Sequence, residues 1–378
     1  MASVSGAGPQ GDIDATAGEI SGGFQTLSDL RAVAERRLPK EVWAYIEGGA
    51  GEESSLRENH EAFRRWRLRP RPLAGVESVD LRTSLLETPV ASPVYIAPTA
   101  YHGLVDPTAE AGTAKAASSA GVLAMFSTLS SLSLEEIAAA APRGPRWFQL
   151  YLQPDFSVSR QLIERAERAG YSAIVLTVDA PVLGARDRQT RDGVAIRSPV
   201  PVGNGGQIVP PARAPEFRNG VYSFPADATA TWEVMTRVRE ITRLPIVVKG
   251  ILTGVDAERA VEGGARALVV SNHGGRQLDG TTPPIEALPE VVAAVHGRAE
   301  VYVDGGIRRG SDVLIALALG ARAVGVGRPV LWALGAGGEA GVGRYLSLLH
   351  SEIAVSMLLA GRAKLSAIDP GLLIARPG

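Results

Sequence analysis

Residues 245–272, PIVVKGILTGVDAERAVEGGARALVVSN, contain one complete strand–helix–strand unit. The runs PIVVKG and ALVVSN are short and rich in branched apolar residues. The segment between them, DAERAVEGG, is helical in pattern and ends in glycine, a common helix stop. Both runs are almost continuously apolar, which is typical of parallel strands covered by helices. The unit therefore predicts a parallel α/β fold.

The same unit recurs along the chain after Ser92, with helix candidates such as AEAGTAKAASSAG, SRQLIERAERAG and SDVLIALALG between the strands. The eight predicted strands are VYIAP (94–98), AMFST (124–128), WFQLYL (147–152), AIVLTVD (173–179), PIVVKG (245–250), ALVVSN (267–272), VYVDGG (301–306) and AVGVGR (323–328). Eight such units in about 240 residues predict an α/β fold of the closed (β/α)8 TIM barrel type. An open doubly wound sheet is the alternative, but it usually has about five or six strands, and no G-x-G-x-x-G follows the first strand.

The segments outside these units complete the predicted organisation. We expect two short helices in residues 27–47, separated at Pro39, because the apolar residues there have helical spacing. Residues 1–24 are small and polar and are interpreted as a disordered leader, since they lack the basic and apolar regions of a signal peptide. The barrel domain is predicted at residues 25–368, followed by a C-terminal tail at 369–378. The connection from Arg186 to about Ala230 is expected to be a long lid loop.

The composition narrows the class of function. A net charge of −1 gives no strong field for a nucleic acid or an acidic membrane. No apolar run reaches the roughly 18 residues of a spanning helix. The absence of cysteine excludes disulfides, thiolate nucleophiles and cysteine-ligated metals, and no second histidine stands at metal-ligand spacing. We therefore expect a cytoplasmic enzyme with a small-molecule substrate and no metal.

Polar residues gather where seven successive predicted strands, the second to the eighth, come to an end. The carboxyl ends of the strands form the active site of such a barrel. Each residue alone has an ordinary explanation, such as a solvated lysine or a turn at Asp179, but a packed barrel core would favour branched apolar residues there. The residues are Ser127, Thr128, Gln149, Tyr151, Thr177, Asp179, Lys249, Ser271, Asp304, Gly327 and Arg328. Together they predict an active site at this end of the barrel.

Two sub-sites are indicated by the loops after the last three strands. DGGIRRG (304–310) and GVGRP (325–329) combine glycine N–H groups, a helix start and arginines at the two loops where barrels usually bind phosphate. SNHGGRQLDG (271–280) places His273, a candidate base, near Arg276, whose planar fork suits a carboxylate. Asp179 is the nearest candidate to stabilise an imidazolium, and Arg186 is a second candidate anion ligand.

The segments that carry these residues resemble a known family. SNHGGRQLDG, VDGGIRRGSDVLIALALGA, GRP, TVDAP and LPIVVKGI are similar to the FMN-dependent 2-hydroxy acid oxidases and dehydrogenases, over roughly residues 27–365. That family includes glycolate and lactate oxidases, mandelate dehydrogenase and flavocytochrome lactate dehydrogenases. The resemblance implies FMN as the cofactor and a small-molecule 2-hydroxy acid with O2 as partners. It also implies a homo-oligomer, since tetramers are common in the family.

The resemblance also implies a role for each matching position. His273 would be the base with Asp179 as its partner, and it would take a proton from the substrate hydroxyl or from Cα, both routes staying open. Tyr151 would contact the substrate hydroxyl, and the substrate carboxylate would be bound by Arg276, Arg186 and Tyr45. The implied FMN-binding positions are Ala97, Pro98, Thr99, Ser127, Gln149, Thr177, Lys249 and Ser271, with Asp304, Gly306, Arg308, Gly327 and Arg328 at the phosphate. Lys249 would favour the anionic reduced flavin.

Differences from the family pattern bear on the substrate. Leu129 stands where glycolate oxidases have tryptophan, which leaves room for a bulkier substrate side chain. Tyr101, TLSSLSLEEIA and GRPVLWALGAGGEAGV look most like the 4-hydroxymandelate oxidases of peptide-antibiotic pathways, so Leu129 and Tyr101 are expected to bind substrate. The lid loop also differs from many members at Gln189, Asp192 and Val194.

The function predicted from the resemblance is the oxidation of an aromatic (S)-2-hydroxy acid, mandelate or 4-hydroxymandelate, to the 2-oxo acid with reduction of O2 to H2O2. One alternative is a lactate or glycolate oxidase. Another is a quinone-linked mandelate or lactate dehydrogenase, although residues 187–230 contain no apolar run that would anchor it to a membrane. A barrel that binds a phosphorylated ligand without redox chemistry is the remaining alternative.

Overall fold

The fold is that of a computed structural model, which describes residues 24–191, 202–204, 217–218, 221–222 and 226–376. The eight predicted strands all form, and they pair in parallel in one closed barrel. In chain order these strands, β1 to β8, are Val94–Ile96, Leu123–Ser127, Arg146–Leu150, Ile174–Thr177, Ile246–Ile251, Ala267–Val270, Glu300–Asp304 and Ala323–Val326. Because β8 pairs with β1 and β4 with β5, the predicted TIM barrel is confirmed.

Helices alternate with the strands, as the sequence pattern predicts. In chain order the described helices, α1 to α12, are Leu27–Arg37, Lys40–Glu47, Ser54–Glu61, Ala109–Ser119, Leu134–Ala140, Phe156–Arg168, Asp187–Arg191, Val234–Arg239, Gly254–Glu262, Pro284–Val295, Gly310–Ala318 and Arg328–Ala360. The expected break between α1 and α2 falls at Pro39. α12 is interrupted by non-helical backbone at Gly337 and Gly338. No helix of the described part is both long and apolar enough to cross a membrane.

The two-residue period of the strands explains why polar residues meet at one end of the barrel. The barrel interior is filled by apolar and aromatic side chains, among them Tyr95, Met125, Trp147, Val175, Val247, Val269 and Tyr302. Two positions further along the chain stand Ala97, Ser127, Gln149, Thr177, Lys249, Ser271 and Asp304. Alternate residues of a strand point to the same side, so this second set lies above the interior core, at its carboxyl end. All seven are buried.

Short antiparallel sheets lie outside the barrel. The strands Thr83–Leu85 and Thr88–Val90 pair with each other, and Leu85 and Val90 pack on the interior core. The strand Trp66–Leu68 pairs with Leu373–Ala375, and 3-10 turns occur at Ala62–Arg65, His102–Leu104, Leu365–Ala367 and Pro370–Leu372. These segments add two two-stranded sheets and four 3-10 turns to the predicted barrel domain.

The packed barrel domain extends beyond both of its predicted boundaries, residues 25 and 368. Residues 369–375 were expected in a tail, but Leu372 is fully buried, and the strand Leu373–Ala375 pairs with the strand Trp66–Leu68. Phe24, placed in the leader, is only 2% exposed and packs in the core, because a buried phenyl ring is more stable than an exposed one. The rest of the leader, residues 1–23, lies outside the described residues.

The long connection after β4 is described only in parts. α7 contains Gln189, whereas Asp192 and Val194 lie outside the described residues. The short strands Phe217–Arg218 and Val221–Tyr222 pair with each other. Asn204 is buried against the loop after β2, where its Nδ2 donates to the carbonyl of Thr128 at 3.0 Å. The described residues 202–204 are therefore bound to the carboxyl end of the barrel. The lid function of the connection stays a prediction.

Candidate active site

Buried polar side chains line the carboxyl end of the barrel interior on β2, β3 and β4. Ser127 donates a hydrogen bond to Oε1 of Gln149 at 3.0 Å. Nε2 of Gln149 donates to the hydroxyl of Thr177, also at 3.0 Å. Residues 97–99, which were predicted to bind the cofactor, follow β1 at the same end. The row presents polar groups side by side, which suits the polar edge of a ring system.

Lys249, Ser271 and Asp304 form a second buried polar group on β5, β6 and β7. The ammonium of Lys249 donates to Ser271 at 2.9 Å, and it lies 3.4 Å from Oδ2 of Asp304. Ser271 donates to Oδ1 of Asp304 at 2.6 Å. The side chain of Asp304 thus supplies the counter-charge that a buried ammonium needs. The expected place of Asp304 at the phosphate stays a prediction.

His273 and Asp179 lie together, as the sequence predicts. Nδ1 of His273 is 2.9 Å from Oδ1 of Asp179, and its Nε2 is 3.3 Å from the hydroxyl of Tyr151. Burial lowers the pKa of His273. Burial opposes ionisation of Asp179 too, but its interactions with His273 and Lys249 outweigh this and lower the pKa of the carboxyl. A neutral imidazole therefore donates Nδ1–H to an ionised carboxylate, and the resulting tautomer leaves the Nε2 lone pair to act as a base.

The loop after β6 accounts for the unusual order His-Gly-Gly-Arg. His273, Gly274 and Gly275 have φ angles of 58°, 66° and 72°, all in the left-handed region. A side chain in this region costs about 1–3 kcal/mol, which only His273 incurs. A Cβ atom on Gly275 would lie 2.6 Å from the backbone nitrogen of Leu56. The glycines thus let α3 approach the loop while the imidazole is turned towards Asp179.

Arg186 and Arg276 lie close enough for their positive charges to interact. Burial, and then the charge of Arg276, lowers the pKa of Arg186 well below its usual value. Nη2 of Arg186 donates to Gln277 at 3.3 Å, whereas its buried Nη1 has no hydrogen-bond partner within the described residues. Within the described residues, Arg276 donates hydrogen bonds only from its Nη1. A carboxylate would neutralise the two cations and satisfy the unpaired N–H groups.

Tyr45 reaches this site because two arginines bind the C-terminal end of α2. Arg276 donates to the carbonyls of Tyr45 and Gly48 at 2.7 and 2.8 Å. Arg328 donates to the carbonyls of Ile46 and Gly48 at 2.8 and 3.1 Å. The last carbonyls of a helix lack partners within it and attract cations. The Arg276 guanidinium also lies 5.0 Å from the centre of the Tyr45 ring.

Arg308 and Arg328 form a separate basic sub-site after β7 and β8. Burial and neighbouring arginines lower the pKa of Arg328 to about 9. Burial and the charge of Arg308, which lies 3.1 Å from His60, lower the pKa of that histidine to about 3. Arg308, Arg328 and His60 line a cavity of about 1000 Å³, and Gly306 lines it too. Gly327 is the N-cap residue of α12. A phosphate here would relieve the excess of positive charge and accept N–H groups of the helix start.

Tyr101 and Leu129 form a wall beside Tyr45. The backbone N–H of Tyr101 donates to the carbonyl of Leu129 at 3.2 Å, and both side chains are buried. The rings of Tyr101 and Tyr45 are 6.1 Å apart, and burial raises the pKa of Tyr101. Within the described residues, the hydroxyl of Tyr101 is buried without a hydrogen-bond partner. The wall is thus aromatic and apolar, with one polar atom.

Comparison with known proteins identifies the family. The family model for FMN-dependent dehydrogenases matches residues 34–375. The chain belongs to this family. An L-lactate oxidase from Nostoc sp. is 45% identical over an alignment of 357 residues, and the match covers 92% of this chain and 97% of that protein. The crystal structure of a mandelate oxidase has a TM-score of 0.85 and 45% identity, and the match covers 94% of this chain and 99% of that one. The crystal structure of a Pediococcus acidilactici protein described as a (putative) lactate oxidase has a TM-score of 0.87 and 36% identity, and the match covers 94% of this chain and 96% of that one.

The family membership confirms the resemblance and makes FMN the cofactor of this FMN-dependent enzyme. The described residues fit the cofactor. The basic sub-site of Arg308 and Arg328 suits its phosphate, and the polar row from Gln149 to Lys249 suits the polar edge of its ring system. The cation of Lys249 suits a reduced flavin that carries negative charge. The carboxylate site and the His273–Asp179 pair adjoin this row.

The structure adds residues that the sequence did not single out. Asn59 and Asn272 exchange two hydrogen bonds of 2.9 and 2.8 Å and join α3 to the loop after β6. Asn204 binds the long connection to the loop after β2. Gln277 contacts Arg186. Gln277 and Asn272 could have been found, since both stand in SNHGGRQLDG, whereas Asn59 and Asn204 lie in segments with no barrel pattern.

Proposed function

We propose that this member of the FMN-dependent 2-hydroxy acid oxidase family oxidises an aromatic (S)-2-hydroxy acid of the mandelate type and passes the electrons to O2, which forms H2O2. The observation that carries the substrate class is the wall of Tyr101 and Leu129, which lies beside Tyr45 and the carboxylate site. A leucine at position 129 takes less space than an indole and leaves an apolar surface for a phenyl ring. Aromatic rings pack favourably on such a surface at the ring distances seen here.

The chain's own residues account for binding and proton transfer. Arg186 and Arg276 neutralise the substrate carboxylate, and a two-point pair of this kind also sets its orientation. His273 accepts one proton at Nε2, and Asp179 stabilises the imidazolium that forms. Tyr151, next to Nε2, is placed to contact the substrate hydroxyl. Bound FMN supplies the acceptor for the two electrons that leave the substrate.

The hydroxyl of Tyr101 supports 4-hydroxymandelate over mandelate. A buried hydroxyl without a partner costs stability, and a ligand that supplies the partner gains affinity. The para-hydroxyl of 4-hydroxymandelate has the chemistry to do so. Tyr101→Phe should therefore lower kcat/KM for 4-hydroxymandelate about fivefold to tenfold, the value of one hydrogen bond, and leave mandelate almost unchanged. Equal effects on both substrates would contradict this role.

The substrate class is tested with wild type and Leu129→Trp on (S)-mandelate, (S)-4-hydroxymandelate, (S)-lactate and glycolate, with H2O2 measured against product. We expect the wild type to prefer the aromatic acids and to form one H2O2 per turnover. The tryptophan should reduce kcat/KM for the aromatic acids and spare the small ones. Preference for lactate or glycolate would favour the lactate and glycolate oxidase alternative, which the lactate oxidase relatives also support. Turnover with a quinone but not with O2 would favour the dehydrogenase alternative.

A further inference from the structure

We propose that Gln277 is a positioning residue. It keeps the His273–Asp179 pair and the carboxylate site of Arg186 and Arg276 in their positions relative to each other. The inference rests on the proposed function only for the roles of Asp179 and Arg186. Gln277 follows Arg276 in the loop after β6, and its side chain reaches across to the segment 179–186 after β4. That segment carries both residues whose placement the reaction needs.

The amide of Gln277 is hydrogen-bonded through both of its ends. Nε2 donates to the carbonyls of Asp179 and Val182 at 3.2 and 2.8 Å. Oε1 accepts the backbone N–H of Gly184 and Nη2 of Arg186, both at 3.3 Å. One side chain therefore binds the start, the middle and the end of the segment.

The segment has few other anchors. It forms neither helix nor strand, and within the described residues its backbone is otherwise held by Gly51, which donates to the carbonyl of Ala185 at 3.0 Å. At Gly184 the two loops touch, since a Cβ atom there would lie 2.4 Å from the carbonyl oxygen of Gln277. An irregular segment with so little backbone pairing depends on side-chain hydrogen bonds for its conformation. Gln277 provides the largest share of these bonds.

The two ends of the amide act on different steps. The Nε2 bonds fix the backbone from which Asp179 reaches Nδ1 of His273, so their loss should impair proton transfer and lower kcat. Nη2 of Arg186 donates to the neutral Oε1 of Gln277, which orients the guanidinium without neutralising it, so that its charge stays available for the substrate carboxylate. A carboxylate at position 277 would compete for that charge and raise KM.

Two substitutions separate these effects, and an exposed glutamine on α6 provides a matched control. Gln277→Glu keeps the shape and the acceptor oxygen but replaces the donor with a charge. We expect it to raise KM for the hydroxy acid, and the Kd of the non-reacting product benzoylformate, about tenfold or more, the value of a charged hydrogen bond. Gln277→Leu removes both ends, so kcat should also fall about tenfold. Gln161→Leu should leave all three constants unchanged.

The pH profile provides a readout that a merely structural residue would not change. Asp179 raises the pKa of His273 against the larger effect of burial, so displacing Asp179 should lower that pKa. In Gln277→Leu the acid limb of kcat/KM should therefore move to lower pH. All constants are referred to bound flavin. One outcome would overturn the proposal: a variant that contains less FMN and melts at a lower temperature, while its constants per flavin, its Kd and its acid limb are unchanged. Gln277 would then be a structural residue.

The failure of the proposed function is distinguishable from the failure of this inference. If the wild type oxidises no hydroxy acid, the proposed function is wrong, and the benzoylformate Kd of the variants still tests whether Gln277 orients Arg186. If the wild type is active and Gln277→Glu binds benzoylformate as tightly as the wild type does, the positioning role is wrong while the proposed function stands.

Discussion

Asp179→Asn tests the role of the carboxylate that faces His273. The substitution keeps the size of the side chain and an oxygen that can accept Nδ1–H, but it removes the negative charge. The imidazolium that forms when His273 accepts a proton then loses its counter-charge, and an asparagine whose amide donates to Nδ1 would stabilise the wrong tautomer. We therefore expect slower reduction of the flavin with little change in FMN binding.

The geometry sets the size of the effect. A unit charge pair at the 2.9 Å separation of Nδ1 and Oδ1 is worth about 6 kcal/mol at an effective dielectric constant of about 20. This is a ceiling of about 10,000-fold in rate, since about 1.4 kcal/mol is tenfold. The charge on the imidazole is only partial in the transition state, and the retained oxygen keeps a hydrogen bond. The expected loss is about 100- to 1,000-fold, within the range of acid–base catalysis.

The assay is the rate of flavin bleaching by (S)-mandelate without oxygen in a stopped-flow instrument, for variants loaded with FMN to equal occupancy. Asp256→Asn, at a half-exposed position in the first turn of α9, is the matched control and should bleach at the wild-type rate. Bleaching of Asp179→Asn within about threefold of the wild type would refute the reasoning, because so small a change is under about 0.7 kcal/mol.

Three further outcomes are expected. Arg328→Ala should weaken the binding of FMN to the apoprotein but not that of riboflavin, measured by quenching of flavin fluorescence; equal losses would contradict a phosphate role. The acid limb of kcat/KM should lie below pH 6.5, because His273 acts as a neutral base and burial lowers its pKa; a limb above that value would contradict the assignment. Gly275→Ala should lower the free energy of unfolding by about 1–3 kcal/mol or more in urea titrations. Gly280→Ala, with φ 80° and open space around it, should cost less.

The sequence predicted the barrel well because its signal is local. Each strand is a short apolar run, each helix has its own period, and eight repeats admit few other arrangements. The polar residues at the strand ends were found for the same reason, since a period of two places Lys249 and Ser271 on the face that Val247 and Val269 line below them.

The parts that the sequence could not predict depend on contacts between distant segments. Tyr45, which only the family resemblance indicated, joins the site because Arg276 and Arg328 bind the end of α2, and no pattern within residues 40–47 predicts that contact. The position of Asp304 depends on which buried cation lies nearest, and Lys249 stands on another strand. The strand near the C-terminus is only three residues long and forms through pairing with Trp66–Leu68.

The most direct test of the account is the visible spectrum of the purified protein under nitrogen, before and after addition of (S)-4-hydroxymandelate, with (S)-lactate and glycolate in parallel. The account predicts a flavin band that the hydroxymandelate bleaches and the small acids do not. Bleaching by lactate or glycolate instead would keep the chemistry and contradict the aromatic pocket at Leu129. A flavin band that none of the acids bleaches would contradict the central claim that Arg186 and Arg276 bind a 2-hydroxy acid and His273 takes its proton while FMN accepts its electrons.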